Sequence, residues 1–408
     1  MKIAIVTQYY RPEDAKIPNG IARSLADRGH HVRVVTGYPN YPEGRLYPGF
    51  RQKLGRRERD GQVHVKRVPL FISHSPNPVG RFFNYATFAL SSLSAGRFVG
   101  GADVIYVYAT QMTAAFAPHV WSRTRKIPFV LHIQDLWPES ITGSSMVRSG
   151  LSKKIIDGLL APWLNAVYRA SSGVIAIAPT MKKILTARGV DEQKLHTVMN
   201  WADEDNISSR ERSTEPRDGL TVVYAGSLGH LQDLETVVAA ARLVTDLEGF
   251  QVHIVGSGIA EQQLKNSAMG MANIQFRGRV PIDEMDAIYA ESDFQLITLK
   301  NIPIFRGTIP SKLQGSLAAG VPVISTVDGD VNSLIASAGV GFASAAENPE
   351  ALAGVFRQAC ATTALERRLM GERAKVHYQE AMCMSLGVDK IERILTDAAL
   401  ATATRNRD

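Results

Sequence analysis

A chain of 408 residues is too long for one hydrophobic core and fits two domains; 45% hydrophobic and 21% charged residues with a mean hydropathy of -0.07 describe a soluble globular protein and exclude a disordered or fibrous one. Lys and Arg exceed Asp and Glu by 46 to 39, a net charge of +7, but no concentrated basic stripe or reader module accompanies the excess, so nucleic acid is excluded as a partner. Cys360 and Cys383, the only cysteines, exclude a disulfide framework and a cysteine metal site.

The opening Met1-Lys-Ile-Ala-Ile-Val-Thr-Gln8 turns polar after too few apolar residues for a signal peptide, and reads as a first buried strand of a cytoplasmic chain. It runs into a polar loop, Gln8–Gly20, with Asn19 and Gly20 expected at the entrance of a helix that begins at Ile21. Glycine there lets a ligand approach the backbone, and the helix N-terminus favours a phosphate or sugar oxygen. The dinucleotide fingerprint Gly-x-Gly-x-x-Gly is absent from this turn, which argues against a nicotinamide or flavin enzyme.

Strand-like runs follow at 32–36, 63–68, 104–108, 129–133 and 173–178, alternating with helical patterns as a parallel sheet requires. The basic run Arg51–Arg59 reads as a solvated loop, or as an attractor of anionic lipid or phosphate. Residues 79–99 read as a helix too polar to span a bilayer, with Phe82, Tyr85, Ala89 and Ser92 on one side and Arg81 and Arg97 near its ends. That helix suits either a core position or the inner face of an anionic membrane. Strand 129–133 places His132 near its end and Asp135 beyond it, followed by Trp137 and Glu139, a polar cluster at a position where ligands bind. No cluster with metal-ligand spacing stands out, Asp328 and Asp330 reading as a polar loop, so neither a metal nor a cofactor is expected.

After a helix at 179–187 and a strand at 195–199, the charged stretch 203–219 lacks apolar periodicity and is expected to be a linker. Alternation restarts with strands at 221–225, 251–255, 274–276, 294–297, 321–325 and 340–342. The expected division is 1–202, linker 203–219, 220–385, and a last helix 386–408, with 378–399 one amphipathic element. Two such α/β halves are expected to be Rossmann-like domains facing a cleft. Val223–Gly229 is a strand ending in a glycine loop, where Gly226, Ser227 and Leu228 suit a pyrophosphate. Ser311 and Lys312, beside Pro310 at the start of a short helix of small residues stopped by Gly320, form a second anion cradle. A ligand-free turn and an ordinary sheet-covering helix remain the alternatives.

The segments Asn19-Gly20, Leu131-His-Ile-Gln-Asp-Leu-Trp-Pro-Glu139, Asn200-Trp-Ala-Asp203, Tyr224-Ala-Gly-Ser-Leu-Gly229, Phe276-Arg-Gly-Arg-Val-Pro281 and Pro310-Ser-Lys-Leu with Leu317-Ala-Ala-Gly-Val-Pro-Val-Ile324 together resemble the family 4 glycosyltransferases. The resemblance spans essentially the whole chain and is nearest to the bacterial surface-polysaccharide branch with the colanic acid and O-antigen enzymes. It implies a GT-B fold with the last helix crossing back onto the N-terminal domain, and retaining, metal-independent transfer of a hexose or N-acetylhexosamine from a nucleotide sugar, here UDP-linked, to a lipid-linked glycan. On that basis Lys312, His132 and Asp135 are expected to be catalytic. Asn19, Gly20, Gly226, Ser227, Leu228, Arg279, Val280, Arg306, Ser311 and Lys312 are expected at the donor, the nucleobase lying against the backbone of Arg279 and Val280. Trp137 and Glu139 are expected at the acceptor. The chain departs from the family at Gly307 and Gly315, where many members carry a pair of glutamates, and at Ser227 and Gln232, where arginine and lysine are usual. Same-fold epimerase chemistry on a UDP-N-acetylhexosamine, or non-catalytic sugar-nucleotide binding, are the competing readings.

Overall fold

The computed structural model describes residues 1–73, 78–139, 150–207, 219–281 and 284–405. The chain divides into two compact units, residues 1–198 with 387–408, and residues 199–386.

The first unit is built on an eight-stranded sheet of order β3-β4-β2-β1-β5-β6-β7-β8. Its strands are β1 Lys2–Val6, β2 His31–Gly37, β3 Arg57–Asp60, β4 Val63–Val68, β5 Val104–Ala109, β6 Phe129–Ile133, β7 Gly173–Ala176 and β8 Leu195–Thr197. All neighbours pair in parallel except β3 with β4. Helices cover both faces of such a sheet, so its central strands are apolar throughout, and every residue of β5 is buried. Strand order reverses between β1 and β5, and the loops leaving their carboxyl ends meet there: the Gln111 amide donates to the Gln8 side chain, which donates in turn to Asn84 at 2.6 Å.

The second unit carries β9 Leu220–Ala225, β10 Phe250–Val255, β11 Ile274–Gly278, β12 Phe294–Ile297, β13 Val323–Ser325 and β14 Gly341–Ala343. They form an all-parallel sheet of order β11-β10-β9-β12-β13-β14, with its own apolar core around Val222, Ile254, Phe294 and Phe356. Here the order reverses between β9 and β12, so the loops after these two strands are the place for a ligand.

The end of the chain returns to the first unit. Glu392 accepts from Arg28 at 2.5 Å and pairs with His30 at 2.7 Å, while Ile394 packs on Gly173, where a Cβ would stand 3.3 Å from its methyl group.

Four expectations are corrected. The Arg51–Arg59 run is not all loop: Arg57–Asp60 pairs with β4 across the two-residue turn Gly61-Gln62, a hairpin that Asp60-Gly61 could have announced. Element 378–399 is two helices, Ala364–Ala381 and Met384–Arg405, because Tyr378 is held within the second unit by the Ala202 amide and the Glu204 carboxylate. The same bonds carry residues 199–207 into the second unit, so the division falls at 198 and not at 202; residues 208–218 of the expected linker lie outside the described residues. The 79–99 helix runs Pro78–Ser92, then breaks into the short turns Leu93–Ala95 and Gly96–Val99, and its Ala89 and Ser92 side is buried.

Candidate active site

In the second unit, β9 delivers Gly226 at its carboxyl end with φ +150. The backbone folds back at once: the Gly226 amide donates to Val255 at 2.9 Å and the Leu228 amide to Ser257 at 3.0 Å. Leu228 is buried in the core and its carbonyl accepts from Ala260, so it shapes the loop and is not free to meet a donor, contrary to expectation. Ser227 is exposed, with its carbonyl held by the Tyr224 hydroxyl at 2.7 Å.

The loop after β12 ends at Pro310, whose extended backbone caps the helix Ser311–Ala318. Ser311 is exposed on the first turn. Lys312 turns its side chain to the glycine loop, with Nζ over the Tyr224 ring at 3.5 Å from the centroid. A Cβ on Gly226 would lie 2.5 Å from Lys312 Cε and 2.8 Å from Nζ, so the glycine is what leaves the ammonium its place. Burial pushes the Lys312 pKa down to about 7. The structure therefore joins two segments 86 residues apart, Gly226 and Lys312, in one cationic corner at the switch point.

Arg306 is exposed on the turn Pro303–Gly307, where its guanidinium reaches Asn301 at 3.3 Å and its carbonyl packs against Gly329. Arg279 is exposed, and Val280 packs beside Val223, Val255 and Ile288. Gly307 and Gly315 are both buried, and a Cβ at 315 would collide with the Tyr289 hydroxyl. Tyr289, whose pKa burial pushes up to about 12, thus fills the space that a side chain at 315 would take, one helical turn from Lys312. Nothing in the local sequence announces Tyr224 or Tyr289 as neighbours of this corner. Buried Asp233, at φ +52 on the same loop, was also missed; burial pushes its carboxyl up to about 6.

In the first unit, His132 is completely buried and its Nδ1 accepts from the Tyr106 hydroxyl at 2.5 Å, with the Tyr108 ring on its flank. Burial pushes its pKa down to about 3 and keeps the ring neutral. A histidine enclosed in this way braces β5 against β6, and its full burial leaves no exposed edge for the expected catalytic role. Asp135 lies exposed in the next loop, where the protein behind it desolvates the carboxyl and pushes its pKa up to about 6. Trp137 is buried against Tyr85, its carbonyl accepting from Arg188 at 2.6 Å, and the same guanidinium pairs with Glu139 at 2.6 Å. Both residues expected at the acceptor therefore build the loop that carries Asp135.

Asn19 and Gly20 are not at a helix entrance. The helix begins at Lys16, and Asn19 within it accepts from the Arg11 amide at 3.0 Å and donates to the Glu13 carbonyl at 3.2 Å. The loop before it closes around Glu13, a buried carboxylate that accepts the amides of Tyr10, Asn40 and Tyr41. No group of three or more His, Cys, Asp or Glu placed to hold a metal occurs among the described residues.

Residues 16–201 match the profile of the glycosyl transferase 4-like domain, and residues 205–377 that of glycosyl transferases group 1. The chain is 28% identical over 379 residues to WcaI of Escherichia coli (strain K12), described as a colanic acid biosynthesis glycosyl transferase, covering 88% of this chain and 92% of that one. Its fold is that of Anabaena Alr3699/HepE, solved in complex with UDP (TM-score 0.68, 14% identity, 97% and 100% covered). It is also that of a sucrose-phosphate synthase from Thermosynechococcus elongatus (TM-score 0.72, 14% identity, 98% and 99% covered). The chain belongs to the family 4 glycosyltransferases of GT-B fold.

Proposed function

We propose that the protein transfers a hexose or N-acetylhexosamine from a UDP-sugar to a lipid-linked glycan in surface-polysaccharide or O-antigen biosynthesis, with retention of configuration. The observation that carries this reading is the seating of Lys312 beside Gly226 at the switch point of the second unit. The likeness to WcaI supports the polysaccharide context, and the UDP complex of HepE supports the nucleotide.

In this mechanism the anomeric carbon loses its bond to the diphosphate oxygen and gains one to the acceptor hydroxyl on the same face. The acceptor's proton passes to the departing phosphate oxygen. Lys312 and the first turn at Ser311 meet the negative charge that grows on the leaving group, an interaction stronger in the transition state than in the bound donor. Asp135 orients the acceptor hydroxyl. With the leaving-group charge met by Lys312, no divalent ion is required.

The test is a panel of UDP-, GDP- and ADP-sugars assayed for thermal stabilisation and then for transfer, with the product anomer read by NMR and EDTA present throughout. UDP-sugars are expected to stabilise the chain selectively, and the glycosidic bond to keep the donor's configuration. Conversion of donor alone to an epimer, inversion at the anomeric carbon, or activity that vanishes with EDTA and returns with magnesium or manganese would each sink the reading.

A further inference from the structure

Helix Met285–Glu291 joins two places in the second unit that the donor reading uses. Ile288, near its middle, is buried with Val280, Val223 and Val255, which anchors the helix beside the stretch expected to meet the nucleobase. The next residue, Tyr289, sends its hydroxyl to helix Ser311–Ala318, where it stands 2.3 Å from the position a Cβ on Gly315 would take. Gly315 is on the turn after Lys312, so the phenol arrives next to the cationic corner.

No hydrogen bond accounts for this contact. The Tyr289 hydroxyl has no hydrogen-bond partner among the described residues, and the residue is half-buried, so its oxygen is left to solvent or a ligand. A phenol packed this closely ordinarily finds a partner inside the protein. The turn it faces offers none: position 315 has no side chain, and the Ser316 hydroxyl is spent on the Lys312 carbonyl at 2.7 Å. Burial keeps the phenol neutral, so it can both donate and accept.

A nucleotide with its diphosphate at Lys312 and its base at Val280 must pass its ribose between them, and the helix that carries Tyr289 spans that ground. We propose that the Tyr289 hydroxyl hydrogen-bonds a ribose hydroxyl of the donor, and that position 315 is a glycine because any larger residue would push the phenol away. The assignment rests on the donor reading of this unit. A neutral phenol suits the place, since a carboxylate there would bring a second negative charge toward the diphosphate that Lys312 has to meet.

The experiment is calorimetric titration of the full chain and of Tyr289→Phe with UDP, 2′-deoxy-UDP and 3′-deoxy-UDP. Phenylalanine keeps the ring and removes the hydroxyl. The native chain is expected to bind UDP about tenfold tighter than one of the two deoxy analogues, the scale of one hydrogen bond. Tyr289→Phe should bind UDP about tenfold more weakly and no longer distinguish it from that analogue, a change that loss of packing alone would not produce. Gly315→Ala, whose Cβ displaces the hydroxyl, should lose the same discrimination; added to Tyr289→Phe it should weaken UDP binding no further, because the ring carbon lies 3.4 Å away. Native affinity in Tyr289→Phe, or a weakened variant that still discriminates, would overturn the inference. A native chain that binds UDP but ignores both ribose hydroxyls would sink the contact alone, whereas one that binds no UDP at all would sink the donor reading and the contact with it.

Discussion

The Lys312 ammonium lies 3.5 Å from the centre of the Tyr224 ring, and the hydroxyl of that same tyrosine holds the Ser227 carbonyl at 2.7 Å. One buried side chain therefore fixes both the cation and the loop of the corner. The ring face attracts the ammonium by about 0.5 to 2 kcal/mol while no anion is bound, so the lysine is held ready without a carboxylate partner that a phosphate would have to displace.

Lys312→Met keeps most of the length of the side chain and removes its charge. Turnover should fall on the order of 100-fold or more, the scale of losing one preorganised charge-stabilising group, with a smaller change in donor KM. Steady-state kinetics decide this; near-normal turnover would remove Lys312 from the mechanism.

With its pKa near 7 in the free protein, Lys312 is largely neutral at pH 8 and largely charged at pH 6. A bound diphosphate favours the ammonium, so binding above pH 7 must draw a proton from solution. UDP affinity should fall by up to about tenfold per pH unit above 7, and calorimetry in buffers of different ionisation enthalpy should register uptake approaching one proton. Lys312→Met should abolish both the slope above pH 7 and the uptake; a wild-type chain without that slope would contradict a lysine whose pKa burial lowers to about 7.

Gly226→Ala forces a Cβ into the lysine side chain at a backbone angle that favours glycine. The lysine must leave its seat, so turnover should drop at least about tenfold while stability falls by about 1 to 3 kcal/mol. Gly229→Ala is the control, because the atom it meets is the end of the flexible Gln232 side chain. An unaffected Gly226→Ala enzyme would mean that the seat does not matter.

His132 should matter to stability and its pH dependence, not to the chemical step. Its folded pKa, about 3, lies below the ordinary 6.5, so the unfolded chain binds a proton that the folded one does not. The contribution of the neutral ring is fully present above pH 6.5 and is lost at ~1.4 kcal/mol per unit as the pH falls toward 3. Thermal melts of the native chain and of His132→Asn between pH 7.5 and 5.5 should show the native chain losing its advantage as acid is added. A pH-independent difference between the two melts would refute the neutral, enclosed histidine.

The sequence alone determined the alternating parallel-sheet architecture, because strands buried on both faces are apolar runs that need no knowledge of their neighbours. It also determined the glycine loop at 226 and the helix start at 311, since glycine and proline at the ends of strands and helices have local physical causes. Only the tertiary structure decided which of the expected site residues reach solvent: His132 and Leu228 sit in equally plausible local patterns, but burial places both in the interior. Helical spacing grouped Phe82 with Tyr85, Ala89 and Ser92, yet Ala89 and Ser92 are buried while Phe82 joins Phe83 and Leu90 outside. Spacing gives the faces of a helix, and what packs against each face is settled by chain segments far away in sequence. Tyr224 and Tyr289 make the same point at the candidate site. Their meeting with Lys312 and Gly315 depends on how strands and helices of the second unit are laid side by side, which no local pattern encodes.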